Sequence, residues 1–305
     1  MTYRLKPHES LSTGIKRIAT EQIEKAIKEL STADELGMDE AIHQARKRFK
    51  KIRAVIRLVR DRLGSEKYKQ ENARFRDLGR SLAGLRDAKV QIETLDYLTA
   101  HFADDVTPET LKNLRRELRV DYRREYQRIT DEGVVVSVKE KLKDAKPEID
   151  LWTIEDDDWS AIAKSLKRVY KRGYQGLHQA NSEPTAENFH DWRKRVKYLR
   201  YQLRIVRPIW NEVIAEWIDR THELSDYLGE DHDLAVLQEF AQTQPEKFDS
   251  DNLQTLTNLC DRRRATLQSA AIFLGKRIYT EKPKHFVNRL GNYWQIWQLE
   301  IKDTN

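Results

Sequence analysis

The feature that most constrains this chain is a strongly basic segment that occurs twice. Residues 43–60 read HQARKRFKKIRAVIRLVR and residues 190–207 read HDWRKRVKYLRYQLRIVR, at a constant offset of 147 positions without a gap. Nine of the eighteen positions are identical, so the chain contains an internal duplication. A repeat of such a long period indicates a duplicated domain rather than a short-period solenoid.

Placed on a helix, each copy of this segment has a basic face between two apolar flanks. At about 100° per residue, the first copy's basic side chains fall within one arc of roughly 100°. This face consists of His43, Arg46, Lys50, Arg53, Arg57 and Arg60. The flanks include Phe49, Ile52 and Ile56 in the first copy, and Val196, Leu199 and Leu203 in the second. Apolar flanks pack against neighbours, so we expect the basic face to line a groove or cavity.

The two segments concentrate the charge of the chain. Residues 41–60 contain eight Arg or Lys and residues 192–211 contain seven, and neither range contains Asp or Glu. These ranges carry a charge of +15, whereas the whole chain carries +6, so the remaining residues sum to −9. Like charges three or four positions apart destabilise a helix by a few tenths of a kcal/mol per pair. Acids from other helices, or a bound polyanion, must therefore neutralise this concentrated positive charge.

Composition and periodicity predict an all-α protein made of two pseudo-symmetric four-helix bundles. Seven Pro and eleven Gly are few for 305 residues, which favours long helices. We predict a first half over residues 1–145 and a second over 155–305, which adds a C-terminal helix, with a basic cleft or pore between them. The predicted helices of the first half span about 9–30, 40–63, 66–101 and 107–131. Those of the second half span about 156–179, 209–242, 249–275 and 283 onward, together with the second basic helix, which follows a break at 182–185 and ends at 207.

Several boundaries are predicted from local signals. Asp39 has the side chain of an N-cap for the first basic helix, and Thr107 with Pro108 is typical of a helix start. The run Val134–Val138 predicts a short strand or a packed connection, and residues 146–158 predict a linker. The single cysteine excludes a disulfide framework and indicates a reducing compartment. With no apolar segment typical of a signal peptide or a membrane span, we expect a cytoplasmic protein without a membrane partner.

The duplication continues beyond the basic segments. Leu78-x3-Leu82-x4-Asp87-x2-Val90 recurs as Leu224-x3-Leu228-x4-Asp233-x2-Val236, at an offset of 146. Each aspartate follows an apolar stripe of helical spacing. Because carboxylates and guanidinium groups form paired hydrogen bonds, Asp87 and Asp233 are candidates to hold arginines of the basic faces in place.

These motifs resemble the CHAD family, the conserved histidine α-helical domain. Its members carry a helix of the form H-x2-R-x3-[RK]-x2-R twice, each followed by a leucine-rich helix that ends in an RD- or HD-like segment. The matching residues are His43, Arg46, Lys50 and Arg53, then His190, Arg193, Lys197 and Arg200, with the follow-on segments 84–87 and 229–233. The resemblance covers nearly the whole chain. One departure is that Lys51 of the first copy becomes Tyr198 in the second, so we expect the halves to contribute unequally.

The resemblance implies a pair of bundles around a basic site for inorganic polyphosphate, and a setting in polyphosphate granules with polyphosphate-metabolising enzymes as partners. We find no ExExK signature of a fused triphosphatase, and we expect a binding protein without catalytic residues, cofactor or metal. The predicted polyphosphate-binding residues are His43, Arg46, Lys47, Lys50, Lys51, Arg53, Arg57, His190, Arg193, Lys194, Lys197, Arg200, Arg204, Arg17, Arg168 and Arg172.

Two other functions stay open at this point. Basic helices also bind nucleic acids, although the basic faces lack the interleaved aromatic residues of stacking platforms. A metal-dependent phosphohydrolase would use Asp87 and Asp233 with histidines, chiefly His190, His222 and His232, but such sites need ligands that converge from several helices. The arginines of residues 107–131, Arg115, Arg119 and Arg123 among them, interleave with Glu117, Asp121 and Glu125, which predicts an exposed face of ion pairs.

Overall fold

A computed structural model describes residues 3–107, 109–155, 158–245 and 250–303, and within these ranges the protein is helical without β-strands, as predicted. The helices are α1 (Leu11–Ser31), α2 (Ala33–Leu36), α3 (Met38–Leu58), α4 (Arg60–Leu63), α5 (Ser65–Ser81), α6 (Ala83–His101), α7 (Lys112–Asp131), α8 (Val134–Asp150), α9 (Ser160–Ser182), α10 (Ala186–Val206), a 3-10 turn (Arg207–Trp210), α11 (Asn211–Gln242), α12 (Ser250–Ile278) and α13 (Pro283–Asp303). Over these described ranges, no helix is long and apolar enough to cross a membrane.

The two basic segments form α3 and α10, each of 21 residues. Helix α10 begins after Thr185, whose hydroxyl accepts a hydrogen bond from the Asn188 amide. Helix α3 begins directly after Gly37, which has a φ of +84° that favours glycine. Asp39 therefore lies inside the first turn and is not the N-cap that we predicted. Its carboxylate instead accepts a hydrogen bond of 2.7 Å from the Tyr122 hydroxyl of α7.

The hydrophobic side chains form two cores, and both draw on the two halves of the chain. The larger core contains residues from Tyr3 to Trp297. The smaller core joins α6 and α7 of the first half to α11 and α12 of the second. The halves thus pack against each other over an extended surface, and α3 lies against α10 near its centre. The domain boundary between residues 145 and 155 stays a prediction.

The clearest error of the sequence-based prediction is α8. The structure forms one helix over Val134–Asp150, where a strand or connection and then a linker were predicted. The buried residues of α8 recur at helical spacing against α1: Val134, Val138, Leu142, Ala145 and Ile149. Burial of this stripe outweighs the strand preference of the valines, because helix propensities differ by less than about 1 kcal/mol per residue. Pro147 is accommodated in the last turn.

Two further helix boundaries differ from prediction. The helix predicted over residues 66–101 is interrupted at Leu82, which separates α5 from α6. Helix α7 begins at Lys112 rather than after Thr107. Pro108 and the predicted helix starts at 156 and 249 lie outside the described residues.

Candidate anion site between two basic helices

Helices α3 and α10 lie side by side, with contacts along the line where their basic faces meet. The Gln202 side-chain amide of α10 donates a hydrogen bond to the Ala54 carbonyl of α3 at 3.4 Å. The Arg57 guanidinium lies 4.1 Å from the ring centre of Tyr198. The predicted apolar flanks are buried, at 0–2% exposure: Phe49, Ile52, Ile56, Val196, Leu199 and Leu203. The flanks provide the packing, and the basic side chains are left to line the space between the helices.

A cavity of about 330 Å³, here called the central cavity, lies between α3, α5, α10 and the start of α6. Its cationic lining residues are Arg46, Lys50, Arg53, Arg76, Arg80, Arg193, Lys194 and Lys197. Among the described residues, no Asp or Glu lines it. Helices from both halves therefore turn their cations toward one space, as the basic faces predicted.

A second cavity of about 370 Å³, the mixed-charge cavity, adjoins the first. Arg193 and Lys197 line both, so these two side chains stand at the boundary between the cavities. The mixed-charge cavity also contains acids of α11, including Asp226 and Asp233. Arg193 and Lys197 can therefore contact an anion in either cavity.

A third, smaller space of about 20 Å³ lies at the other end of the central cavity, and Tyr198 lines both. The terminal arginine cluster around it comprises Arg57, Arg60, Arg168, Arg172 and Arg195. One acid partly neutralises this cluster, since Asp61 accepts hydrogen bonds from Arg168 at 3.1 and 3.2 Å. The basic lining thus continues from α3 and α10 to α9.

The cations at the middle of the site lack acidic partners. Lys50, Arg193 and Lys197 form no ion pair among the residues that the structure describes, and the buried Arg193 Nε has no hydrogen-bond acceptor there. Burial, with repulsion from neighbouring guanidinium groups, lowers the pKa of Lys50 to about 8 and that of Lys197 well below its usual value. An anion bound here would raise the pKa of both lysines again, because an opposite charge favours the charged form of an amine.

The histidines of the two motifs are neutral near pH 7. Burial and the nearby Arg86 lower the pKa of His43 to about 4. The ring of His190 packs on that of His232 at 4.0 Å, and burial with the Arg193 charge lowers the pKa of His232 to about 3. The buried Nδ1 of His190 has no hydrogen-bond partner among the described residues.

The two candidate aspartates behave differently. Asp87 accepts a hydrogen bond from Arg46 Nη2 at 3.3 Å, and Arg46 also donates to the Gly79 carbonyl at 2.6 Å. Asp233 makes no hydrogen bond to Arg193 within the described ranges, and burial raises its pKa. The prediction that these aspartates hold arginines in place is met in the first half alone.

Several predicted site residues lie outside the three cavities. Lys51 is buried beside Tyr3, whose ring centre lies 5.4 Å from its ammonium nitrogen. Arg17 forms ion pairs with Glu9 at 2.5 Å and Glu21 at 3.2 Å. The other predicted residues that line no cavity are His43, Lys47, His190, Arg200 and Arg204. Their part in binding stays a prediction, and so does the unequal contribution of the two halves.

Sequence reasoning missed two cations of the central cavity, Arg76 and Arg80. They lie four residues apart on α5 and so share one face, which is the signal that could have found them. Asp77 lies between them and pairs with Arg76 at 2.8 Å. In the sequence, an acid at this position makes the face look like an ordinary exposed face of mixed charge, and this hides the signal.

The geometry of a metal-dependent hydrolase is not met in the described part of the chain. No group of three or more His, Cys, Asp or Glu residues there is arranged to hold a metal ion. His222 pairs with Asp226 at 2.7 Å, and it lies ten residues before His232 on α11, about 15 Å along the helix. The three histidines considered above therefore do not converge.

Comparisons with known proteins agree with this architecture. The family model of the CHAD domain matches residues 21–242. Among solved structures, PptA from Streptomyces chartreusis has a TM-score of 0.64 at 14% identity, covering 90% of this chain and 100% of that one. The CHAD domain from the plant Ricinus communis has a TM-score of 0.56 at 16% identity, covering 91% and 94%. Likeness at such identities shows the fold alone. No curated protein matches the chain.

Proposed function

Because the chain belongs to the CHAD domain family, we propose that it binds inorganic polyphosphate in the central cavity between α3 and α10. The observation that carries this proposal is a cavity with eight cationic side chains and, among the described residues, no acidic one. Arg supplies planar pairs of donors that match phosphate oxygens, and Lys supplies compact point charges. A polymer with a negative charge on every phosphate unit would neutralise this lining.

The arrangement favours an extended anion over a single phosphate. Arg46 and Arg57 on α3 are eleven residues apart, about 16 Å along the helix. Cations follow one another from Arg193 and Lys197, through the central cavity, to the terminal arginine cluster. A flexible chain of phosphates can contact this whole row, whereas one phosphate would leave most of it uncompensated.

The aromatic residues of the central cavity argue against nucleic acid. Phe49, Phe75 and Tyr201 line it but are 2%, 0% and 8% exposed, so their ring faces are already packed. The Arg57 guanidinium covers Tyr198. Binding of single strands requires open aromatic faces on which bases stack, and those are lacking here in the described residues.

We further propose that the protein acts by binding rather than by catalysis. The pKa of His232, about 3, lies far from the range in which a histidine transfers protons at neutral pH. A binding module of this kind would recruit the protein to polyphosphate granules in the cytoplasm, or regulate enzymes that make or degrade the polymer.

Competition binding tests this function. A labelled long-chain polyphosphate is titrated with the protein at physiological salt, with duplex DNA, single-stranded RNA, ATP and heparin as competitors. The test variant is Arg53→Glu/Lys194→Glu, since both residues line the central cavity. The control is Lys69→Glu/Arg220→Glu, which changes the net charge equally at exposed positions 66% and 52% accessible.

We expect tight binding to the wild type and the control, and about 100-fold or greater loss in the test variant, because charge-assisted hydrogen bonds contribute about 1.5–3 kcal/mol each. Nucleic acids should compete poorly. Equal competition by DNA or RNA, or equal loss in both variants, would mean that the protein is a general polyanion binder. No binding at all would contradict the proposal.

A further inference from the structure

A second concave surface lies on the opposite side of α6 from the mixed-charge cavity. Its volume is about 820 Å³, and it runs between α6, α7 and described residues of their connection, within 103–107 and 109–111; we call it the α6/α7 groove. Its lining combines apolar with charged residues: Ala100, Ala103 and Val120 are exposed, Leu95, Val106 and Leu111 are buried behind them, and the cations come from α7. Residues of α6 that line the groove, such as Leu95, differ from those that line the mixed-charge cavity, such as Thr94 and Tyr97. The groove is therefore a separate surface.

Helix α7 is incompletely covered by the rest of the protein. Of its 20 residues, Leu114, Leu118 and Ile129 are buried. Val120 is 47% exposed and Tyr126 is 42% exposed. A helix normally buries a stripe about 100° wide, so α7 presents apolar surface that a further helix could cover.

The arginines along this groove are only partly neutralised. Arg115 pairs with Asp96 of α6 at 2.8 Å. Arg116 has its nearest carboxylate, Glu117, at 3.7 Å. Arg119 and Arg123 are exposed and have no hydrogen bond or ion pair within the described ranges.

The face of ion pairs that we predicted for α7 is therefore wrong for Arg119 and Arg123. The acids expected to neutralise them are engaged by residues further along the helix. Asp121 pairs with Arg124, and Glu125 pairs with Arg128. Two guanidinium groups one helical turn apart thus border the groove, and neither has a partner among the described residues.

We propose that the α6/α7 groove docks an acidic amphipathic helix of a partner protein. Apolar side chains on one face of that helix would cover the exposed Ala100, Ala103 and Val120, and carboxylates one turn apart would pair with Arg119 and Arg123. The groove follows α7 from Lys112 to Arg123, about 16 Å, which accommodates roughly three helical turns. Grooves between two helices bind a third helix through anchors at i, i+3, i+4 and i+7.

The chemistry of the groove distinguishes this occupant from polyphosphate. A phosphate chain has no apolar surface with which to cover the floor. It would find a denser cationic lining in the central cavity, where no acid lines the space among the described residues. An uncharged apolar helix would leave Arg119 and Arg123 unmatched at the edge. Only a segment with both apolar and acidic side chains satisfies both parts of the surface.

The test uses the full chain and a fluorescein-labelled synthetic helix of 14 residues, with Leu on one face and Glu beside it. A peptide of the same composition, scrambled so that Leu is distributed all round, is the matched probe. Fluorescence anisotropy should show binding of the amphipathic peptide and at least tenfold weaker binding of the scrambled one. Arg119→Glu/Arg123→Glu should weaken binding at least tenfold, whereas Lys69→Glu/Arg220→Glu should change it less than twofold.

A second variant separates the apolar contribution from charge attraction. Val120→Asn removes apolar surface at an exposed residue of the groove floor without changing the charge, so the fold should be retained and peptide binding should weaken at least tenfold. Equal binding of both peptides, or an unaffected Arg119→Glu/Arg123→Glu variant, would overturn the proposal. Polyphosphate is also added to the peptide complex of Arg53→Glu/Lys194→Glu, the variant that lacks the proposed central site. Displacement of the peptide there would overturn the proposal too, because the groove itself would then be the anion site. Peptide docking is independent of the proposed polyphosphate binding.

Discussion

Polyanion binding should be accompanied by proton uptake, and Lys50 determines a large part of it near pH 8. The pKa of Lys50 is lowered to about 8. Burial is the main cause, the positive charges of Arg46 and Arg193 also lower it, and the negative charges of Asp87 and Asp233 partly raise it. At pH 8 about half of the free molecules therefore carry a neutral Lys50. A bound phosphate chain favours the ammonium form. Binding at pH 8 should thus transfer about half a proton from buffer to this side chain.

The same linkage predicts how affinity changes with pH. The charged fraction of Lys50 in the free protein falls from about 0.9 at pH 7 to about 0.1 at pH 9. If the complex holds Lys50 fully charged, the affinity for polyphosphate falls about tenfold over this range. Lys197, whose pKa is also lowered, adds to this slope. Lys50→Arg keeps the positive charge but removes the titration, because a guanidinium stays protonated at these pH values.

Isothermal titration calorimetry at pH 8, in two buffers of different ionisation enthalpy, measures the proton uptake directly. The wild type should take up at least about half a proton per molecule, and Lys50→Arg should take up about half a proton less. Lys69→Arg, at an exposed position, should behave as the wild type. Wild-type binding without proton uptake, or equal uptake in Lys50→Arg, would refute the reasoning.

In the ligand-free protein, the contribution of Lys50 to the unfolding free energy should rise between about pH 8 and 10.5, because the lowered pKa of Lys50 makes the folded state bind fewer protons than the unfolded state. For this group the slope is at most about 1.4 kcal/mol per pH unit, and in urea unfolding the slope of Lys50→Arg should be lower than that of the wild type by up to this amount. Gly275→Ala should destabilise the fold by about 1–3 kcal/mol, since the added methyl group would lie 2.6 Å from the Trp192 ring. Gly79→Ala, with its nearest contact at 3.8 Å, should be neutral or stabilising by up to about 1 kcal/mol in the same unfolding assay, because Ala favours a helix over Gly. The logarithm of polyphosphate affinity should fall linearly with the logarithm of salt concentration, with a shallower slope in the variant that reverses two charges of the central cavity; an unchanged slope would argue against phosphate contacts there.

Much of the fold could be predicted because the pattern of α3 and α10 is unusually strong. Their apolar flanks are buried as the helical period indicated, and the basic faces line a common space. Helix α8 could not be predicted in the same way. Its valines favour a strand when taken alone, and only the tertiary burial of one face against α1 decides for a helix.

The candidate site was predictable as a face but not as a set of residues. The period indicates on which side of a helix a cation lies, yet not which neighbour approaches it. Lys51 is buried beside Tyr3, a residue 48 positions earlier in the chain, and Arg17 is engaged by two glutamates. Arg76 and Arg80 join the central cavity because α5 folds back onto α3. Such long-range approaches have no local signal in the sequence.

A crystal structure of the protein with bound polyphosphate tests the central claim most directly. We expect phosphate density between α3 and α10, with oxygens about 2.7–3.2 Å from donors of Arg53 and Arg193 and next to Lys50 and Lys197. Density that continues toward the terminal arginine cluster would agree with an extended chain. Phosphates bound only on the outer surface, with the central cavity free of density, would contradict the account.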